Sequence, residues 1–124
     1  MKKKILLCCG DITVSALLGE SPTARAIWNA LPLSGEVHTW GDELYFSIPV
    51  EHDYDDTAAE IVEKGALAYW PNGRAFCVFF GPTPVSTGKE IRPAGAVNVV
   101  GHVTDGLADV KKILPGSTVL VRQV

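Results

Sequence analysis

GALAYWPNGRAFCVFFGPTPVSTGKEIRPAGAVNVVGHV, residues 65–103, is the stretch that decides the fold. Three apolar runs are separated by two breakers. The first breaker, Pro71-Asn72-Gly73, is a tight-turn signal, because Asn-Gly supplies the positive φ of a short hairpin loop. The second, residues 81–95, holds three prolines and three glycines, too many for a regular element. The stretch therefore reads as two strands in a hairpin (residues 67–70 and 74–80), a long exposed loop, and a third strand over 97–103. On the second strand, Phe76, Val78 and Phe80 share one face, and Ala75, Cys77 and Phe79 share the other.

Working outward, residues 4–9 and 12–18 are strand-length apolar runs around Gly10-Asp11, a second hairpin. Ser21-Pro22-Thr23 opens a helix, with Ser21 as N-cap and Pro22 at the first helical position. Ala24, Ile27, Trp28 and Leu31 follow at helical spacing, and Pro32 ends it. Residues 36–40 and 43–48 form a third hairpin across Gly41-Asp42. A two-residue turn there sets Trp40 opposite Glu43 and His38 opposite Tyr45. Residues 49–64 are acidic and polar, an expected surface excursion with one helical turn near Ala58 to Val62. After the third strand, Thr104 or Asp105 caps an expected helix over 107–114, with Leu107, Val110 and Leu114 inward. Pro115-Gly116 stops it, and residues 118–122 close the chain as a strand. Seven or eight mostly antiparallel strands favour a closed barrel, which leaves no sheet edge to cover. The expectation is one domain over residues 1–124, mainly β, with two short covering helices.

Composition narrows the function classes. The chain is 47% hydrophobic and 20% charged with a formal net charge of −3. Neither nucleic acid nor an anionic membrane surface is expected as partner, since both call for a basic face. The basic run Lys2-Lys3-Lys4 reads as a solvated strand end. The apolar run after it is too short for an export signal, and no run reaches membrane-spanning length. Cys8, Cys9 and Cys77 have no metal-type spacing, and adjacent strand cysteines point to opposite faces. A reducing cytoplasm is the expected setting, with no metal and no cofactor.

The order of elements resembles that of cyclophilins. Ser21-Pro22-Thr23-Ala24 resembles the Pro-x-Thr-Ala start of their first helix. Asn72-Gly73-Arg74-Ala75-Phe76-Cys77 resembles their Asn-Gly-Ser-Gln-Phe-Phe. Val100-Gly101-His102-Val103-Thr104-Asp105-Gly106-Leu107-Ala108-Asp109-Val110 resembles their Phe-Gly-Lys-Val-x-x-Gly-Met-x-x-Val. The runs 41–46, 69–71 and 79–84 look like a small prokaryotic cyclophilin-like family whose activity is not established. The resemblance implies a compact cyclophilin-like β-barrel. It also implies three departures from the isomerase site. Thr39 stands where the arginine that reaches the prolyl amide should be, Cys77 where the second Phe should be, and Val97 where the histidine should be. Loss of the cationic donor should cost prolyl isomerisation heavily, since the rate depends on stabilising a twisted amide. The hairpin register disagrees with the first of these assignments, because it puts His38 rather than Thr39 on the Tyr45 side.

Three constellations deserve weighing. His38, Trp40, Glu43, Tyr45 and Ser47 line one side of their hairpin, and Cys77 and Phe79 one side of theirs. They form either a ligand groove or an aromatic cover for the barrel under a loop. In the proline-rich loop, Thr83 is a candidate hydrogen-bond donor, although prolines also simply stiffen a connection. Ser86-Thr87-Gly88-Lys89 lacks phosphate-loop spacing. Cys77 with His38 would be a nucleophile pair only as neighbours, and His52 with Asp53, Asp55 and Asp56 fits no calcium or zinc pattern. The expected function is a module that binds a peptide segment or small molecule. Tyr45, Cys77 and Phe79 would form its floor, flanked by Trp40 and Thr83, with His38, Glu43 and Arg74 as polar contacts. The alternative is a peptidyl-prolyl isomerase in which Arg74 replaces the missing arginine.

Overall fold

Alternating burial sets up the first hairpin. Ile5, Leu7, Val14, Ala16 and Leu18 are buried between more exposed neighbours, the period of a strand with one face in a core. The computed structural model describes residues 3–124, so Lys2 of the basic run lies outside it. β1 (Lys3–Cys9) and β2 (Ile12–Leu18) pair antiparallel across Gly10-Asp11, and Lys3 and Lys4 are exposed at the strand's start. α1 (Pro22–Ala30) begins as its sequence requires. The Ser21 hydroxyl accepts the Ala24 N–H at 3.2 Å, and Thr23, Ala24 and Ile27 turn inward.

The run expected as one strand over 36–40 is divided. β3 (Leu33–Glu36) pairs with the last strand, β10 (Thr118–Gln123). β4 (His38–Trp40) pairs with β5 (Glu43–Ser47). Val37 is the switch point: it is fully buried, donates to the Ser117 carbonyl and accepts from the Gly116 N–H, both at 2.8 Å. With β7 (Ala66–Trp70), β8 (Ala75–Phe79) and β9 (Val97–Asp105), the sheet runs β3-β10-β1-β2-β9-β7-β8-β5-β4. Its two end strands are consecutive in the chain, so the sheet is a nearly closed barrel. A tenth, two-residue strand, β6 (Ala58–Ala59), adds to β9 where a helical turn was expected.

The interior is filled by Leu44, Phe46, Leu67, Tyr69, Phe76 and Val78 with residues of β1, β2 and β10. Phe46 and Phe76 stack at 5.3 Å between ring centroids, an offset arrangement that suits two aromatic quadrupoles. The Tyr69 hydroxyl donates to the Val50 carbonyl at 2.5 Å, so its polar end is satisfied inside the barrel. A second cluster lies on the other face of the same strands: Ala66, Ala68, Ala75, Cys77, Phe79 and Val97, with Val62 and Ile91. Val62 and Ile91 meet in an isolated bridge. This double coverage explains why β8 is buried at every position.

The polar excursion is ordered by a network that includes α1. Asp55 accepts from the Thr23 N–H at 3.2 Å and from the Thr23 hydroxyl at 2.6 Å. The Thr57 N–H donates to its other oxygen at 2.8 Å, as does the Thr57 hydroxyl. Asn98 on β9 donates to the Thr23 hydroxyl and the Asp53 carbonyl, each at 2.9 Å. Toward the end of the chain, α2 is shorter than expected (Leu107–Val110) and follows Gly106, at φ +92°, rather than a Thr104 or Asp105 cap. Ile113 takes the inward place expected for Leu114, which is 68% exposed. The helix stops after one turn, so the 3.6-residue spacing no longer fixes which later side chain turns in.

β3 passes close over the core ring Phe46. A Cβ on Gly35 would lie 2.8 Å from Phe46 Cδ2 and 3.1 Å from the Ser47 carbonyl. Gly35→Ala is therefore expected to lower unfolding free energy by about 1–3 kcal/mol through overpacking at the seam. Urea denaturation would measure it; a change under a few tenths of a kcal/mol would show that the seam yields freely.

Candidate functional site

The hairpin β4–β5 forms with the register its turn dictates: His38 opposite Tyr45, Thr39 opposite Leu44, Trp40 opposite Glu43. β5 then pairs with β8, setting Glu43 beside Phe79 and Tyr45 beside Cys77. Leu44 and Phe46 belong to the interior, so Glu43 and Tyr45 point to the outer face. The turn is held by the loop that follows β8. Asp42 donates its N–H to the Pro82 carbonyl at 3.0 Å and accepts the Phe80 N–H at 2.9 Å.

The loop returns over this face. Thr83 and Ser86 shape it: the Ser86 hydroxyl accepts the N–H groups of Thr83 and Arg92 at 2.9 and 3.0 Å. The Thr83 hydroxyl donates to the Arg92 carbonyl. Residues 93–95 are thereby brought over the sheet. Between them and the hairpin is a cavity of about 170 Å³, lined by Trp40, Glu43, Tyr45, Trp70, Val97 and the segment 93–95.

Trp70 is positioned by the turn after it. Residues 71–73 form one 3-10 turn, and positive φ falls on Arg74 (+47°) rather than on Gly73 as the Asn-Gly signal suggested. Gly73 is required for another reason. A Cβ there would lie 2.6 Å from Trp70 Cε3, so the indole rests directly on the glycine backbone. The opposite edge of the ring faces Gly95, whose Cβ position is 3.7 Å from Trp70 Nε1. That N–H is buried and has no acceptor among the described residues. A buried donor without a partner forfeits about 1–3 kcal/mol.

Glu43 is 7% exposed. Burial raises its pKa from the ordinary value near 4.5 to about 7, opposed only by the Cys77 thiol. That thiol is a weak donor, and its single proton is shared with the Ala75 carbonyl at 3.7 Å. The protein thus holds a carboxyl that changes charge near neutrality, facing three aromatic rings. Cys77 itself is 1% exposed. Burial first, then the nearby Glu43, pushes its pKa well above the usual thiol range, so it is a covered, unreactive sulfur.

The predicted residues divide accordingly. Trp40, Glu43 and Tyr45 come together at the cavity. Cys77 and Phe79 lie under it as packed sheet residues rather than as an open floor. His38 stacks on Tyr45 at 5.4 Å but stands outside the cavity wall, 3.8 Å from Glu36. Thr83 acts on the loop backbone. Arg74 faces another depression, its 60% exposed guanidinium 3.3 Å from Glu51, with Asn72 and His52 nearby. Sequence reasoning missed Trp70, Pro93, Ala94 and Gly95 as wall residues, and placed no emphasis on Val97. The Trp70-Pro71 pair was the available signal for the first, since a turn directly after a strand-end Trp fixes its ring. Of the three positions where isomerase residues were sought, Val97 lines the cavity and Cys77 lies beneath it. Thr39 does neither, because it sits opposite inward-facing Leu44.

The chain matches the Cyclophilin-like family over residues 3–122. It belongs to that family. No curated protein sequence matches it. Among solved structures it is similar to a hypothetical protein, AF2241, of Archaeoglobus fulgidus, determined in solution. That likeness has 37% sequence identity and a TM-score of 0.82, covering 99% of this chain and 95% of the other. The cyclophilin-like fold expected from the short motifs is thus shared with that archaeal protein. Among the described residues, no helix is long and apolar enough to cross a membrane.

The acid makes a signed prediction. The folded protein binds the Glu43 proton more tightly than the unfolded chain does, so stability falls as pH rises from about 4.5 to about 7. Asp55 acts in a different window. Burial pushes its pKa up, but the Thr23 and Thr57 hydrogen bonds outweigh that and hold it below the usual range. Its contribution is therefore lost only in more acid solution. Glu43→Gln should be more stable than wild type at pH 8 by about 1–3 kcal/mol, with the gap closing at pH 4.5. Chemical denaturation across that range would check it, and an equal gap at both ends would mean that Glu43 does not titrate there.

Proposed function

We propose that this family member is a binding module whose cavity between Trp40, Tyr45, Trp70 and the 93–95 segment takes a small molecule or a single side chain of a peptide segment. The observation that carries this reading is the meeting of three aromatic walls with one buried carboxyl in a single concave site. Ligand sites are mostly apolar hollows with a few placed polar groups, and this cavity has that make-up. Its volume of about 170 Å³ suits one ring or a short branched group. The binding residues in this reading are Trp40, Glu43, Tyr45, Trp70 and Val97, with His38 supporting Tyr45 from outside.

Prolyl isomerisation receives less support. It needs a fixed donor over the twisted amide, preferably a cation. Among the described residues no arginine or lysine lines the cavity, and Arg74 is engaged with Glu51 elsewhere. A protease-coupled prolyl-peptide assay at micromolar protein is expected to show no acceleration. Turnover that disappears in Arg74→Ala would establish the other reading.

The binding reading is tested with labelled protein and a fragment set of about ten non-hydrogen atoms each, both charged and neutral. Hits should move the Trp70 and Trp40 indole resonances and leave that of Trp28, on α1, in place. Tyr45→Ala should weaken those hits about tenfold while costing less than about 2 kcal/mol of stability. Val97→Phe, which fills the cavity, should remove them. A fragment set that leaves the Trp70 resonance untouched throughout would defeat the proposal.

A further inference from the structure

We propose that the cavity recognises a small organic ammonium ion that also carries an oxygen acceptor, with the cation beside Glu43 and between the faces of Trp40, Tyr45 and Trp70. The inference rests on the binding reading above and adds the chemical class of the ligand.

Charge supplies the first argument. Among the described residues, Glu43 is the one ionisable carboxyl in the cavity wall, and no basic side chain lines it. The hydrogen bond that steadies its charge comes from the Cys77 thiol, a weak donor. A carboxylate in that position gains most from a cation brought by the ligand, because the surrounding low-dielectric wall strengthens the pair. The walls supply the second. Tryptophan and tyrosine faces are negative, and several of them around one site hold a weakly hydrated ammonium group well. A purely apolar guest would fill the same space and leave the charged form of Glu43 unmatched.

The third argument comes from Trp70. Its ring face attracts a cation, but its Nε1–H is the positive edge of the ring and lacks an acceptor among the described residues. A bare cation cannot satisfy that donor. A ligand oxygen near the ammonium can, once the indole shifts to bring that covered N–H to the cavity, with the N–H donating to it. Two polar features of the cavity, one seeking positive charge and one seeking a lone pair, therefore define a two-point ligand. An amino alcohol or its quaternary form has both, and its size suits the cavity.

The probe is choline, compared with 3,3-dimethylbutan-1-ol, its neutral carbon isostere. Both are titrated into the ¹⁵N-labelled full chain at pH 6 and pH 8, following the Trp70 indole resonance. At pH 8 choline is expected to bind about tenfold tighter than the isostere. Lowering the pH to 6 protonates Glu43 and should weaken choline about tenfold while leaving the isostere unchanged. The Trp70 indole proton should move downfield with either probe, since both carry the hydroxyl oxygen. The other titratable groups near Glu43 are Cys77 on β8, Tyr45 on β5, Asp42 at the turn and His38 on β4. Glu43→Gln separates them: it should bring choline down to the isostere's affinity at both pH values. Any pH dependence left in that variant belongs to the other groups and counts against the assignment.

An isostere that binds as well as choline at pH 8 overturns the ammonium proposal and leaves the cavity as a neutral-ligand site. So does choline binding that is flat from pH 6 to pH 8. If choline has no effect while neutral fragments shift Trp70, the ligand class is wrong and the binding reading stands. If nothing shifts Trp70, both fail. The wild-type comparisons need no variant, so they decide the matter even if Glu43→Gln folds poorly.

Discussion

The structure depends on one chain segment that belongs to both ends of the sheet. Residues 33–40 hydrogen-bond to β10 with their first half and to β5 with their second, turning at Val37. Val37 donates to and accepts from the β10 side at 2.8 Å and is fully buried, so the switch is fixed by both hydrogen bonding and packing. Closure in this way leaves few unpaired strand groups. It also decides what the outer face carries. Once Val37 points inward, alternation through the Gly41-Asp42 turn sends Trp40, Glu43 and Tyr45 outward, beside β8. A displacement of one residue would exchange that set for Thr39, Leu44 and Phe46. The cavity is thus a consequence of how the barrel is sealed.

Two carboxylates show how polar groups in this chain serve different ends. Asp55 receives donors from Thr23 and Thr57, and each of its oxygens is matched. Its charge is welcome, and the network joins the excursion at 52–57 to α1 and β9. Glu43 receives only a shared thiol proton and is covered by aromatic rings. The same functional group is stabilised as an anion at one place and destabilised at the other. The first arrangement holds loops together. The second lowers stability at neutral pH, and a fold retains such a group most readily where it meets something from outside. The contrast separates structural polarity from the candidate site without reference to any relative.

Much of the architecture was legible because it is encoded by local chemistry. Gly10-Asp11 and Gly41-Asp42 set two hairpins, the latter in the expected register, and Ser21-Pro22 started the helix as caps do. The face assignment of Phe76 and Val78 against Cys77 and Phe79 followed from alternation alone. The features that were not legible are the ones set at a distance. Nothing in residues 36–40 announces that Val37 changes partners, because the partner lies some eighty positions away. Asp55 reads as a solvated charge until Thr23 and Asn98 are brought to it. Arg74 reads in the sequence as a polar contact beside the floor of Tyr45, Cys77 and Phe79. A left-handed backbone at that residue instead directs it to Glu51. The walls supplied by 93–95 depend on Thr83 and Ser86 folding a loop that has no periodicity to read.

The barrel seal also bears on the isomerase positions that the cyclophilin resemblance implied. Of those positions, Val97 lines the cavity and Cys77 lies beneath it, both uncharged. The position where that resemblance would put a cation lies on a strand whose register is fixed by the barrel seal, and Thr39 there faces away. Restoring an arginine at residue 39 would therefore not restore a donor over the cavity, since the side chain would leave from the wrong side of β4. His38 and Trp40 are the positions on β4 that face this surface, and Trp40 already forms a wall. Backbone closure, more than the identity of one residue, sets which charges the site can present. It presents an acid, and on the binding proposal its guests would be those that an acid between aromatic faces can hold.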